Sequence, residues 1–167
     1  LGRDPLCLSY GLGVTLSFSF GRVKLKCLRQ AFLMDLYQAQ IIDLAKHPIH
    51  RGVLADATHT HSGVNVTCGD HVRIYLKTEG TAAKAGQVGK SAKVVEATWE
   101  GEGCAISMAA ACLLTDSAIG KTVGELLAFT NQTMFDFLGV HELGPARVKC
   151  VVLCLETLKG ALLQKEQ

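Results

Sequence analysis

Cys68 and Asp70 stand two residues apart in NVTCGD, Cys104 closes GEGC ahead of an apolar run, and Cys150 ends PARVKC. Thiolates and carboxylates are metal ligands, and sulfur-rich sets suit zinc or an iron–sulfur cluster. In an extended or tightly turning segment the side chains of residues i and i+2 can point the same way. Cys68 and Asp70 can therefore reach one ion, Gly69 permitting close approach, while His71 points elsewhere. Cys104 falls where a strand hands over to a helix, whose N-terminal partial charge and free N–H groups stabilise an anionic sulfur. A serine there would only cap the backbone. Cys150 is read in the first turn of the last helix, where Arg147 and Lys149 should draw it toward the thiolate. Three thiolates and one carboxylate make a four-ligand set. Taken singly, each piece also has a plainer reading: Cys-Gly-Asp is a common turn, and Cys104 a small residue beside flexible glycines. Neither CxxC pair of the familiar zinc sites occurs.

The other ligand types read differently. Cys112 and Cys154 lie in apolar helical stretches and are expected as core thiols; Cys7 and Cys27 belong to an irregular leader. His59 and His61 could offer imidazoles, but HTH reads as a solvated loop, and His47, His50 and His141 as surface or helix-end residues. AIGKT (118–122) lacks the upstream glycine of a phosphate loop and reads as a helix-ending turn.

These residues need a scaffold, and the hydrophobic pattern supplies one. DLYQAQIIDLAKHP (35–48) spaces Leu36, Ala39, Ile42, Leu44 and Ala45 as a helix stopped by Pro48. HVRIYLKT (71–78) sets Val72, Ile74 and Leu76 against Arg73, Tyr75 and Lys77, a half-buried strand. TAAKAGQVGK is a hairpin connection, SAKVVEATWE the partner strand, and a short strand around Val64–Thr67 completes the sheet. AISMAAACLLTDSAI is apolar nearly all round and should be a buried helix ending at Gly120. TVGELLAFTNQTMFDFL reads as one helix, with Thr122 and Glu125 as its capping box and Gly139 as its end. ARVKCVVLCLETLKGALLQ carries Val148, Val151, Val152, Leu155, Leu158 and Leu162 as the last. The order predicts an α+β domain: a small three-stranded antiparallel sheet with helices packed on one face.

With 167 residues, 49% of them hydrophobic and 19% charged, the chain has the makings of one well-packed domain. A net charge of +2 gives no electrostatic case for a nucleic-acid partner. No apolar run reaches the ~18–20 residues of a membrane span. Seven cysteines are an odd number, and several lie in helical patterns, so reduced thiols in a cytoplasmic setting are expected rather than a disulfide framework. Residues 1–33 set Arg3, Arg22, Lys24, Lys26 and Arg29 against the single acid Asp4, and read as an irregular extension or a targeting segment. As a transit segment they would send the protein to an organelle. The domain itself is taken as 34–167, from MDLYQ onward.

NVTCGD, GEGCAIS with its Ala-rich continuation, IGKTVGELL and PARVKC, in this order after MDLYQAQIIDLAKHPIHRG, resemble the IscU/SufU/NifU N-terminal family of iron–sulfur assembly proteins. The resemblance spans about 34–163. It implies Cys68, Asp70, Cys104 and Cys150 as ligands, and a scaffold on which a transient 2Fe–2S cluster is built and passed to apo-proteins. A cysteine desulfurase would supply sulfur as persulfide to Cys68 or Cys150. That role is a carrier's rather than an enzyme's. The alternative is a zinc-dependent SufU-type sulfurtransferase, and zinc could occupy the isolated protein in either case. Arg147 and Lys149 match the SufU-type RxKC, whereas the stretch between Cys104 and Cys150 is shorter than in SufU-type members. Val66 stands where the family often has Pro. The Leu-Pro-Pro-Val-Lys recognition stretch is missing, which counts against a dedicated Hsp70 partner.

Overall fold

The computed structural model describes residues 38–80, 89–140 and 143–163. The leader at 1–33, most of the hairpin connection and His141 lie outside the described residues.

Helix α1 covers residues 38–46. Ile41 and Leu44 pack against the core, while Ile42, expected inward, is 51% exposed. At 100° per residue, 41, 44 and 45 share one stripe and 42 falls beside it. After Pro48 the chain lies along a sheet edge. Trp99 N donates to His50 O at 3.0 Å, Gly52 N donates to Trp99 O at 2.9 Å, and the indole N–H donates to Ile49 O at 2.9 Å.

Three antiparallel strands follow in the order β1 (His59–Asn65), β2 (Asp70–Glu79) and β3 (Lys93–Glu102). β2 alternates as its sequence predicts: Val72, Ile74 and Leu76 are buried, Arg73 is exposed, and Tyr75 is covered on the outer side, its hydroxyl donating to Glu100 Oε2 at 2.6 Å. β1 corrects two expectations. It runs from His59 to Asn65, so that it starts before Val64 and leaves Val66 and Thr67 in the turn, and HTH is strand rather than solvated loop, with His59 and His61 half-buried. The reason lies across the sheet. An added Cβ on Gly160 would meet the His61 ring at 2.4 Å, so only a glycine lets the last helix close over that imidazole.

Helix α2 (Ala105–Ala118) buries Ala109, Ala110, Ala111, Cys112 and Leu114 completely. It ends in a turn at Gly120, where φ is +82°, and that turn is tied to β3 by Gly120 N donating to Val94 O at 2.7 Å. The predicted helix 122–138 is two helices, α3 (Val123–Leu127) and α4 (Asn131–Leu138). Thr122 and Glu125 form the expected capping box. A second box, in which Thr130 and Thr133 exchange side-chain and backbone bonds of 3.2 and 3.4 Å, restarts the chain in a new direction. Helix α5 (Pro145–Leu163) packs on β1 and β2, and α2 packs on β3 and α5. All this packing is on one face of the sheet, as expected. No helix among the described residues is long and apolar enough to cross a membrane.

The α5–β1 contact is close enough to test. A Cβ on Gly63 would sit 2.1 Å from Thr157 Oγ1, which is buried and donates to Leu153 O at 2.7 Å. Gly63→Ala is therefore expected to destabilise by about 1–3 kcal/mol, the usual cost of overpacking, seen as a lower urea midpoint at unchanged slope. A midpoint equal to wild type would show that α5 does not rest on β1 this closely.

Candidate metal centre

One end of the sheet carries the candidate ligands. β1 leaves at Asn65 and β2 begins at Asp70, and the turn between them holds Cys68. Gly69 takes φ +75°, the left-handed conformation that favours glycine, and this brings Cys68 and Asp70 to the same side. Asp70 is 2% exposed, whereas His71 is exposed on the outer face. Cys150 enters from α5. Its Sγ lies 3.4 Å from Cys68 Sγ, and ligand atoms of Cys68, Asp70 and Cys150 all fall within 4.8 Å of one another.

Cys104 reaches this group from β3. It is the N-cap of α2, with Sγ accepting Ser107 N–H at 3.4 Å, and its own N–H donates to Asp70 Oδ1 at 3.2 Å. The strand-to-helix junction expected for this thiol is present. Its sulfur is not part of the 4.8 Å group, so the structure joins three of the four expected ligands directly and holds the fourth through the Asp70 carboxylate. Gly103 makes that possible: a Cβ there would lie 2.9 Å from Asp70 Cγ. The second glycine of GEGC is space for a carboxylate.

Charge around Cys150 differs from the sequence expectation. Cys150 is the sixth residue of α5 rather than part of its first turn, and it is 2% exposed. Burial, before all else, pushes its thiol well above the ordinary range, and the neighbouring Asp70, Cys68 and Cys104 push it the same way. Arg147 and Lys149 are exposed and do not reverse this. Desolvation outweighs cations that stay in water. Cys154, one helical turn further in, is fully buried, pushed up to about 12, and donates to Ser107 O at 3.6 Å. Cys112, also raised by burial, donates to Leu44 O at 3.8 Å. Both are core thiols, as their helical settings predict.

The donor set fits a soft or borderline cation. Asp70 Oδ2 is buried and has no hydrogen-bond partner, a costly state for a carboxylate oxygen that a bound cation would relieve. Two thiols converge on the same point, one exposed and one buried. Residue-by-residue reading missed Asn65, which is 8% exposed, donates through Nδ2 to Cys150 Sγ at 3.7 Å and accepts Thr67 N–H through Oδ1 at 3.1 Å. Its place three residues before Cys68, where an Asx turn would start, was the available signal.

A small α+β domain with three cysteines and a buried carboxylate at one end of its sheet has the donor set of a metal–thiolate protein. Residues 36–166 match the NifU-like N-terminal domain family, and the chain belongs to it. The iron–sulfur cluster assembly scaffold protein IscU of Thermotoga maritima is 34% identical over 142 residues, covering 76% of this chain and 92% of that protein. The zinc-dependent sulfurtransferase SufU of Bacillus subtilis is 30% identical over 152 residues, covering 81% and 95%. A crystal structure from Fervidobacterium islandicum, described as an iron–sulfur cluster assembly scaffold for the SUF system, matches with a TM-score of 0.55 at 30% identity. It covers 74% of this chain and 93% of that one.

Proposed function

We propose that this protein is a scaffold on which a 2Fe–2S cluster is assembled and from which it is passed to apo-proteins. Cys68, Asp70, Cys104 and Cys150 hold the cargo. The observation that carries the reading is the buried, unpartnered Asp70 oxygen beside two converging thiols. A carboxylate is a hard ligand among soft ones and exchanges more readily than thiolate, which suits a site that must release what it binds. The closed sites of structural zinc use Cys and His almost exclusively.

Sulfur arrives by thiol exchange from a cysteine desulfurase. The Cys68 thiolate attacks the outer sulfur of the desulfurase persulfide, the S–S bond breaks, and the desulfurase cysteine leaves as thiolate. Cys68 takes this role because it is exposed on a turn, whereas Cys150 is buried behind it. Cys104, exposed at the N-cap and tied to Asp70 through its N–H, completes the set.

A second reading, the zinc-dependent sulfurtransferase, is favoured by the exposed Arg147 and Lys149 ahead of Cys150. Zinc-stripped protein incubated without oxygen with ferrous iron, cysteine, a desulfurase and an excess of a thiol reductant, which supplies the electrons that turn persulfide sulfur into sulfide, separates the two. The scaffold is expected to develop visible charge-transfer bands with about two irons and two sulfides per chain. A colourless protein that takes up no iron and speeds desulfurase turnover only when zinc is restored would replace the scaffold reading by the sulfurtransferase one.

A further inference from the structure

We propose that Asn65 is a positioning residue for the sulfur of Cys150, and the inference rests on Cys150 being a ligand as read above. Asn65 is the last residue of β1, and three of its groups act on the site. Its carbonyl accepts Cys68 N–H at 3.2 Å and Gly69 N–H at 2.8 Å, closing the turn that carries Cys68. Its Oδ1 accepts Thr67 N–H at 3.1 Å. That last bond fixes which way the amide faces, because a backbone N–H needs an acceptor and only the oxygen end supplies one. The NH₂ end is thereby turned to Cys150 Sγ, 3.7 Å away.

The other neighbours of that sulfur have opposite character. Ala146 O at 3.5 Å is an acceptor, Cys68 Sγ lies 3.4 Å away, and the Asp70 carboxylate belongs to the same group. Among the described residues, Asn65 supplies the neutral N–H donor aimed at it. An amide donor withdraws electron density from a thiolate and steadies its direction without adding a charge. In a site built from anionic donors, that support would hold the sulfur in place toward a bound cation and take up part of its electron density. Since Asn65 is 8% exposed, water does not readily replace it. One side chain therefore couples the Cys68 turn on the sheet to the Cys150 sulfur on α5, and sets the separation of two ligands that come from different elements.

Cobalt(II) titration of the metal-free protein tests this, comparing wild type with Asn65→Ser and Asn65→Ala. Serine keeps a hydroxyl for Thr67 N–H and is too short to reach Cys150; alanine loses both functions, and all backbone bonds remain. Sulfur-to-cobalt charge transfer reports the electron density on the coordinated thiolates. Both variants are expected to move these bands to longer wavelength and to bind cobalt on the order of 10-fold more weakly, as when a ligand's supporting hydrogen bond is removed. Asn65→Ser should keep the thermal midpoint of the metal-free wild type. A normal thiolate–cobalt spectrum in wild type that Asn65→Ser reproduces in position and affinity overturns the proposal and leaves the ligand assignment standing. A wild type without intense sulfur-to-cobalt bands overturns the ligand assignment itself, and the role of Asn65 with it.

Discussion

Cys68→Ser, Cys104→Ser and Cys150→Ser are each expected to lose most of the bound zinc or cluster, whereas Cys112→Ala and Cys154→Ala keep it at full stoichiometry. Serine replaces an anionic, polarisable donor by a neutral hydroxyl of nearly the same size, so packing is conserved and the loss falls on the metal–ligand bond. The core thiols are a different case. Cys154 is pushed up to about 12 and held as a neutral donor to Ser107 O, and Cys112 is spent on Leu44 O. Removing either sulfur leaves a small void and costs about 1 kcal/mol of stability. Metal content by elemental analysis, set beside urea midpoints, separates the two groups. If Cys112→Ala emptied the site as completely as Cys104→Ser, the division into site and core cysteines would be wrong.

Asp70→Ala is expected to take up a cluster and to hand it to an apo-ferredoxin at least several-fold more slowly. The carboxylate is the hard, exchangeable member of the set and the natural point of entry for an acceptor thiolate. Its replacement leaves a site that holds rather than passes on. The metal-free variant should also be no less stable than wild type. A buried carboxylate with one oxygen unpartnered is costly to fold around, and the Cys104 N–H it frees lies at an exposed residue where water can serve it. Stability given up at a functional carboxylate is the usual trade between folding and function. Transfer followed anaerobically at the wild-type rate would remove Asp70 from the release step.

Much of this arrangement can be read in the chain. Cys-Gly-Asp allows a thiol and a carboxylate on one side of a turn, β2 shows its faces by alternation, and Thr122 with Glu125 marks a helix start. What could not be read depends on contacts between distant segments. Cys150 looks solvated beside Arg147 and Lys149, yet α5 is pressed onto β1 through Gly63 and Gly160, and burial then outweighs both cations. HTHSG lacks the large apolar residues that announce a strand, because part of its covering is α5 at a glycine. The break between α3 and α4 was hidden for another reason: apolar spacing continues across Ala128–Thr130, and only the Thr130–Thr133 pair marks it. Asn65 was passed over because its amide acts on a sulfur far along the chain.

The convergence of three sulfurs and one carboxylate on a single ion is most directly tested by X-ray absorption at the zinc edge, on zinc-loaded wild type and Asp70→Ala. Wild type is expected to show three sulfurs at about 2.3 Å and one oxygen at about 2.0–2.2 Å, without the multiple-scattering pattern of imidazole. Asp70→Ala should keep the sulfur shell while its carboxylate oxygen is lost or replaced by water. Imidazole scattering in wild type, or four sulfurs with no light-atom shell, would contradict a centre built from Cys68, Asp70, Cys104 and Cys150.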